Sequence, residues 1–400
     1  MLLSGGAVRQ RPDRRSARRR TLLRFAGCVC LALLLPAAAA DQGHMLTVLP
    51  ASALLVWLGS RGMRRPGGVP VVVYHSVAPE ADWLPWRDSI TVRPDVFRRH
   101  MQALRDMGRI VVSSSCLRER RDSGAPFDPR WVVLHFDDGY LDNMLHAAPI
   151  LRDFGHAATI FVSADFIDSS SGLRSHGIGY MNADELRAMD ADPLIEIASH
   201  GLDHGRIPVS DRIVDHLDAG NWRRYAPHIW SLSPGPKARW FEAADPAPLR
   251  LGAPIHQSDS KLCGRWWRDG ARENEAERDR RVQAELREAR ARLEAVLGRE
   301  VRFLCWPFDS WTPAARSAAE AAGFRSFTGG RGENLPDEDP AVLSRVHVHD
   351  HAFGGGPLWL EDLGFRAKLG SMSGNLYWAP VVMAASLIRR RRFAKPGVHA

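Results

Sequence analysis

Residues 131–140 read Trp131-Val132-Val133-Leu134-His135-Phe136-Asp137-Asp138-Gly139-Tyr140. The first six are an apolar, β-branched run short enough for a strand and too uniform for a half-exposed one, which predicts a buried strand. It stops at two adjacent carboxylates and a Gly-Tyr turn. Ionised neighbours at the end of a buried strand repel each other, and burial raises their cost, so a cationic group is expected to hold at least one of them. A solvated Asp-Asp-Gly turn would leave the same trace, so the stretch needs a second one to give it meaning.

The second is Ser199-His200-Gly201-Leu202-Asp203-His204, which follows another predicted buried strand, Leu194 to Ala198. Two His four residues apart converge on one point if the loop coils by a turn. One carboxylate with two imidazoles is an oxygen and nitrogen donor set that suits zinc or another divalent transition metal.

Working outward, strands alternate with helices. Val69 to Tyr74 is predicted as strand and ends in His75-Ser76. Arg93-Pro94-Asp95 opens a helix with Phe97, Met101, Leu104 and Met107 on one face, closed by Gly108. Strands are predicted at Ile110 to Val112, Ala157 to Val162 and Val301 to Cys305, and helices at Leu141 to Phe154, from the Asn182-x-x-Glu185 capping box to Met189, and from Glu275 to Gly298. Thr312-Pro313 caps a further helix that Gly323 ends. A last strand, Val342 to Asp350, carries His347, His349 and, just beyond, His351, which alternation sends to one face. The pattern means an α/β fold with a parallel sheet, whose site lies at the carboxyl ends of its strands, where both motifs fall. Residues 205–270 break the rhythm with Trp222, Trp230, Trp240, Trp266 and Trp267 and no clear period. A stretch of that length is a lid or binding insert, and its Trp rings either build a small core or offer faces to a sugar.

The pI of about 9.6 does not point to nucleic acid. Residues 1–24 carry eight Arg against Asp13, and the tail from Arg389 to Lys395 adds five cations. Taking +7 and +5 from the formal +8 leaves −4 for the body, which excludes a phosphate-backbone binder. The basic start runs into the apolar stretch Phe25 to Pro36 and then four Ala before Asp41, the layout of an export signal, with Arg19-Arg20-Thr21-Leu22-Leu23 similar to a twin-arginine signal. A second apolar run, Met45 to Leu58, is short for a full span. Export or membrane attachment at the cell envelope (the periplasm included) is expected, through a leader over 1–66, a catalytic domain over 67–358 and a basic tail over 359–400 that suits a membrane surface or a partner. Five Cys, two of them in the leader, make no disulfide scaffold.

With both motifs in place, the chain resembles the polysaccharide deacetylase family, carbohydrate esterase family 4. His135-Phe136-Asp137-Asp138-Gly139 is similar to that family's Thr-Phe-Asp-Asp-Gly signature, His200 to His204 to its His-Ser-x-x-His signature, and Tyr74-His75-Ser76-Val77 to the opening strand of its poly-N-acetylglucosamine branch. The resemblance implies a distorted (β/α)-barrel with a long Trp-rich insert, and metal-dependent de-N-acetylation of an N-acetylated cell-surface polysaccharide or lipid-linked sugar. Carried over by position, Asp138, His200 and His204 would hold the metal, most plainly Zn2+. Asp137 would be the general base toward a metal-bound water, helped at the oxyanion by backbone N–H groups near Phe308, and His349 the late catalytic His, with His347 and His351 as rivals. His75, Tyr140, Trp306, Pro307 and Phe308 would meet the substrate. Leu304 stands where many members have an Arg and Phe308 where they have a Tyr, so the base is expected to lack its usual orienting cation. Two other readings stay open: a C–N hydrolase on a small or lipid-linked amide or formamide, and a sugar-binding relative with little activity.

Overall fold

The structure is a computed structural model that describes Ser52, residues 67–330 and residues 333–393. The chain separates into two compact units, Met1–Gly67 with Ala367–Ala384, and Gly68–Arg366 with Ala385–Ala400. Both apolar runs of the leader lie outside the described residues, apart from Ser52. Among the described residues no helix is long and apolar enough to cross a membrane.

The larger unit is built on parallel strands: β1 (Val71–Tyr74), β2 (Ile110–Val111), β3 (Trp131–Phe136), β4 (Ala158–Val162) and β5 (Ile195–Ser199). An antiparallel hairpin, β6 (Arg206–His216) with β7 (Pro254–Ser260), interrupts them. The sheet resumes with β8 (Phe303–Leu304), β9 (Ser326–Thr328), β10 (Val342–Leu343) and β11 (Val346–His347). Its order is β10-β9-β8-β5-β4-β3-β1-β11, with β2 paired to the start of β3. Such a curled parallel sheet with helices outside is the distorted (β/α)-barrel expected. Strand β3 is buried along all but its first residue, as a run with no polar alternation requires.

The helices form where caps and apolar periods favour them. Helix α1 (Pro94–Asp106) starts with Pro at its first turn and buries Phe97, Met101 and Leu104. Ser114–Asp122 (α2) is capped by the Ser113 hydroxyl, which accepts from Cys116 N–H. Ala148–Phe154 (α3), Ala183–Asp190 (α4), Glu275–Leu297 (α5) and Pro313–Ala321 (α6) follow. The capping box read in the sequence is formed at Asn182 and Glu185, and a second one, Asn274 with Glu277, opens α5. Gly298, with φ of +69°, ends α5 in the left-handed conformation that glycine adopts without penalty.

Four expectations change. The helix expected from Leu141 has a wide π-turn over Asn143–Ala147 before α3, because Pro149 has no N–H to return to the preceding turn. Helix α2 and strand β9 escaped the sequence because one is Ser, Arg and Glu with Leu117 as its buried apolar anchor, and the other is three residues long. Strand β6 showed no period because most of it stands clear of the core. The strand expected from Val342 to Asp350 divides: β10 pairs with β9 at one end of the sheet and β11 with β1 at the other. Ser344 and Arg345 bridge the two ends, so one run of chain closes the barrel. Asn334 fastens this seam, donating to the carbonyls of Val69 (2.9 Å) and Ser344 (2.7 Å) and accepting from Ser344 N–H at 2.8 Å.

Candidate active site

Strands β3 and β5 carry the two motifs to the same end of the barrel, as parallel neighbours of β4 must. There the backbone leaves extended geometry. Asp138 has φ of +75° and Gly139 of +74°, and Gly201 (+80°) and His204 (+49°) turn the histidine loop. Left-handed backbone at non-glycine residues is costly and persists only where the surroundings impose it. Here it curls each loop back over its own strand end.

The result is a convergence. Asp138 Oδ1 lies 3.4 Å from His200 Nε2 and 3.6 Å from His204 Nε2. His200 Nδ1 donates to the Cys305 carbonyl at 3.0 Å, which orients the ring and turns Nε2 toward Asp138. Burial would lower the His200 pKa, but Cys305 and the hydrogen bond to Asp138 hold it well above its usual value, and a metal would displace that proton. Burial outweighs the attraction of Asp138 and lowers the His204 pKa to about 4, so its imidazole is neutral, the form that ligates. Burial alone would raise the Asp138 pKa, but the two imidazoles hold it well below the usual carboxylate range. One carboxylate oxygen and two imidazole nitrogens within 4.8 Å of one another fit a divalent transition metal. Asp137, His200 and Cys305 form a rival set. Burial raises the Cys305 pKa and disfavours the thiolate that a metal needs.

Asp137 has partners of its own. Its Oδ1 accepts from Arg345 Nη1 at 2.7 Å, and His75 Nε2 stands 3.8 Å from its Oδ2. Burial pushes its pKa up, but the Arg345 guanidinium, aided by His200 and His75, prevails and holds it at about 2. The expectation that this carboxylate lacks an orienting cation is therefore corrected. The cation comes from the barrel seam rather than from position 304. Alternation could have found it, since residues 345, 347 and 349 share a parity.

Arg345 also donates to Asp309 Oδ1, and Asp309 Oδ2 accepts from His347 Nε2 at 2.5 Å. His347 stacks on His75 with ring centroids 5.6 Å apart. Asp309 is a further residue the sequence reading missed, and its carboxylate stays ionised because His347 and Arg345 overcome its burial. His349, the favoured late histidine, stacks beyond His347 at 6.5 Å and pairs with the Ser89 carbonyl at 2.9 Å. It does not line the cavity, whereas His347 does. His351 has φ of +55° and lies beside Asp350 and the ring of Phe393, away from the cavity.

The cavity has a volume of about 490 Å3. His75, Tyr140 and Phe308 line it as expected, and the Phe308 ring rests 4.3 Å from that of His204. Trp306 and Pro307 do not. Trp306 is 1% exposed and stacks on Phe327, and Pro307 is buried, so neither side chain reaches the cavity surface. Trp86, Tyr180, Phe166 and, from the insert, Trp230, Arg206 and Arg224 also line the cavity. Trp230 and Trp240 also belong to an aromatic core with Trp86, Tyr140, Tyr180 and Phe166, so the insert's rings both build a core and back the cavity. Trp222 is core alone, with Ile229 and Ile255.

The insert is stapled down by buried ion pairs. Lys261 Nζ meets Asp203 Oδ2 at 2.5 Å and Glu285 Oε2 at 3.2 Å, and Lys237 Nζ meets Asp165 Oδ2 at 2.6 Å.

Comparison with known proteins agrees with this geometry. Residues 124–229 match the family model described as polysaccharide deacetylase. A putative polysaccharide deacetylase of Bacillus subtilis, YxkH, is 30% identical over 142 residues, which is 35% of this chain and 44% of the relative. The chain thus spans less than half the length of that relative. Among solved structures, a de-N-acetylase from Aggregatibacter actinomycetemcomitans aligns at 18% identity with a TM-score of 0.50, covering 70% of this chain and 94% of that one. The BpsB deacetylase domain of Bordetella bronchiseptica aligns at 20% identity and 0.50, covering 71% and 97%. At that identity the likeness is one of fold. This chain carries a domain of the polysaccharide deacetylase family.

Proposed function

We propose that the chain hydrolyses the acetamide of an N-acetylated sugar, in a cell-surface polysaccharide or a lipid-linked glycan, giving acetate and a free amine. Residues 67–358, insert included, are taken as the catalytic domain. One observation carries the reading: a carboxylate and two imidazoles converge beside a second carboxylate that a buried guanidinium keeps ionised.

Asp138, His200 and His204 would hold a divalent cation, zinc by its donor preference. Such an ion supplies Lewis acidity, making water acidic and polarising the amide carbonyl. Asp137 accepts the proton of the attacking water, a role open to it because it is ionised and buried. His347, held through Nε2 on the Asp309 carboxylate and facing the cavity, is the ring placed to hand a proton to the leaving nitrogen. The aromatic lining orients the sugar and excludes water.

The deciding experiment is an assay of acetate release from N-acetylglucosamine oligomers, with and without zinc restored to chelated protein. Formate release from a formamido sugar, in place of acetate, would favour the C–N hydrolase reading, and tight binding without release a sugar-binding relative. Export belongs to the same proposal and rests on the basic and apolar leader. Replacing Arg19-Arg20 by Lys-Lys is expected to retain the protein in the cytoplasm, and normal fractionation of that variant would remove the twin-arginine route.

A further inference from the structure

We infer that the insert recognises an anionic group on the acetamido sugar, a phosphate ester or a carboxylate, through Arg206 and Arg224. The inference rests on the hydrolase reading of the site and adds to it what the substrate must carry.

The charges in the cavity come first. Its lining holds three carboxylates (Asp137, Asp138, Asp309) and three guanidiniums (Arg206, Arg224, Arg345). These cancel, so a bound divalent cation leaves the cavity at about +2. The surplus has a place. Arg345 is bound to Asp137 and Asp309, and Asp138 faces the two imidazoles. Arg206 and Arg224, by contrast, form no ion pair within 4.0 Å among the described residues, and the carboxylates that act on them, Asp259 and Asp215, lie outside the cavity lining.

Arg206 is also mounted for the task. Its Nε and Nη2 donate to the hydroxyl and carbonyl of Ser258 at 3.1 Å each. Its guanidinium carbon lies 4.9 Å from the centroid of Phe308, the ring that covers His204. Two neutral acceptors and an aromatic face fix the plane of the guanidinium without discharging it, and that plane stands one ring away from the reacting end. Arginine held this way binds phosphate or carboxylate through paired N–H groups. Arg224, in the turn Trp222–Tyr225, brings a second cation to the same wall. Both arginines belong to the stretch of sequence that has no other assigned task.

The test uses the full-length, metal-loaded protein and three soluble probes: N-acetylglucosamine 1-phosphate, N-acetylmuramic acid and the neutral methyl glycoside of N-acetylglucosamine. Acetate release is measured for wild type, R206Q, R224Q and R206K over a range of salt. One anionic probe is expected to exceed the neutral one in kcat/KM by about tenfold or more, with a KM that rises with salt for the anionic probes alone. The better anionic probe identifies phosphate or carboxylate as the source. In R206Q and R224Q the preference should fall toward unity through KM, while R206K, which keeps the charge but not the paired N–H groups, retains only part of it. Equal turnover of neutral and anionic probes by wild type overturns the inference. So does an equal loss on all three probes in R206Q, the mark of a merely structural arginine. If no probe releases acetate and N-acetylglucosamine oligomers also stay intact, the hydrolase reading fails by itself, and calorimetric binding of the same probes decides anion recognition. Tighter binding of a charged probe that is lost in R206Q then upholds it, and indifference to charge ends it.

Discussion

Arg345 Nη1 donates to Asp137 Oδ1 at 2.7 Å across 208 positions of sequence, and both side chains are all but sealed from solvent. A carboxylate in that position would otherwise be protonated by its own burial. The pair therefore sets whether the carboxylate can accept a proton at neutral pH.

Arg345→Met should move the acid limb of kcat/KM to higher pH. Without the guanidinium, burial dominates and the Asp137 pKa rises from about 2 past the ordinary carboxylate value. Stability should follow the same sign. A depressed carboxylate pKa stabilises the fold above its unfolded value and loses that contribution as pH falls through the folded one. Removing one partner of a buried pair costs about 3–5 kcal/mol, visible as a lower Tm at neutral pH. An unmoved acid limb would mean that the base is governed elsewhere.

The two adjacent carboxylates should separate by experiment. Asp138→Asn should lower metal content and activity together. Asp137→Asn should keep the metal and lose on the order of 10²–10⁴ in kcat with little change in KM. Metal analysis beside steady-state kinetics decides it, and near-wild-type kcat in Asp137→Asn would refute the base assignment.

His347→Gln should slow amide cleavage by about 10²-fold or more, and His349→Gln by no more than a few-fold. Only the first ring lines the cavity and pairs with Asp309. The opposite ranking would restore His349 as the proton donor.

What the sequence disclosed of this site follows from where its residues sit along the chain. Asp137, Asp138, His200 and His204 end buried strands in motifs that local pattern exposes. Arg345 and Asp309 have neighbours in space that lie far off in sequence, so only the parity of 345 with 347 hinted at the first and nothing at the second. The strand from Val342 was legible as apolar chain, but a periodic pattern cannot say that its halves pair with different partners. The insert was opaque because β6 and β7 form an exposed hairpin, whose side chains owe no period to a core.

Lys261→Met should weaken metal binding from a distance. It leaves Asp203, the neighbour of His204, and Glu285 buried without their shared cation. A loss of about 3–5 kcal/mol in stability and a fall in metal affinity are expected from thermal melts and metal titration. A destabilised variant with unchanged metal affinity would confine Lys261 to holding the insert.

Acid should unfold the protein partly through His135. Its ring is buried, its Nε2 is 2.8 Å from the Ser114 hydroxyl, and its Nδ1 has no partner. Burial, helped by Arg345, lowers its pKa to about 3. The unfolded chain therefore binds the extra proton between about pH 6.5 and 3, and stability falls with pH in that window by up to about 1.4 kcal/mol per unit. His135→Leu should flatten the slope between about pH 6 and 4.5 in denaturant titrations; an unchanged slope would acquit this residue.

The seam at Ser344 and Arg345 has one more consequence. The run that joins the two ends of the sheet also delivers the cation that charges Asp137. A molecule whose last strand has not docked would still own the loops of β3 and β5 that bring Asp138, His200 and His204 together, yet Asp137 would lack its cation. On the proposed mechanism, ripening of the barrel and onset of catalysis would then be a single event. A nascent or partly unravelled copy would be silent, and turnover would become a gauge of how many molecules have finished folding.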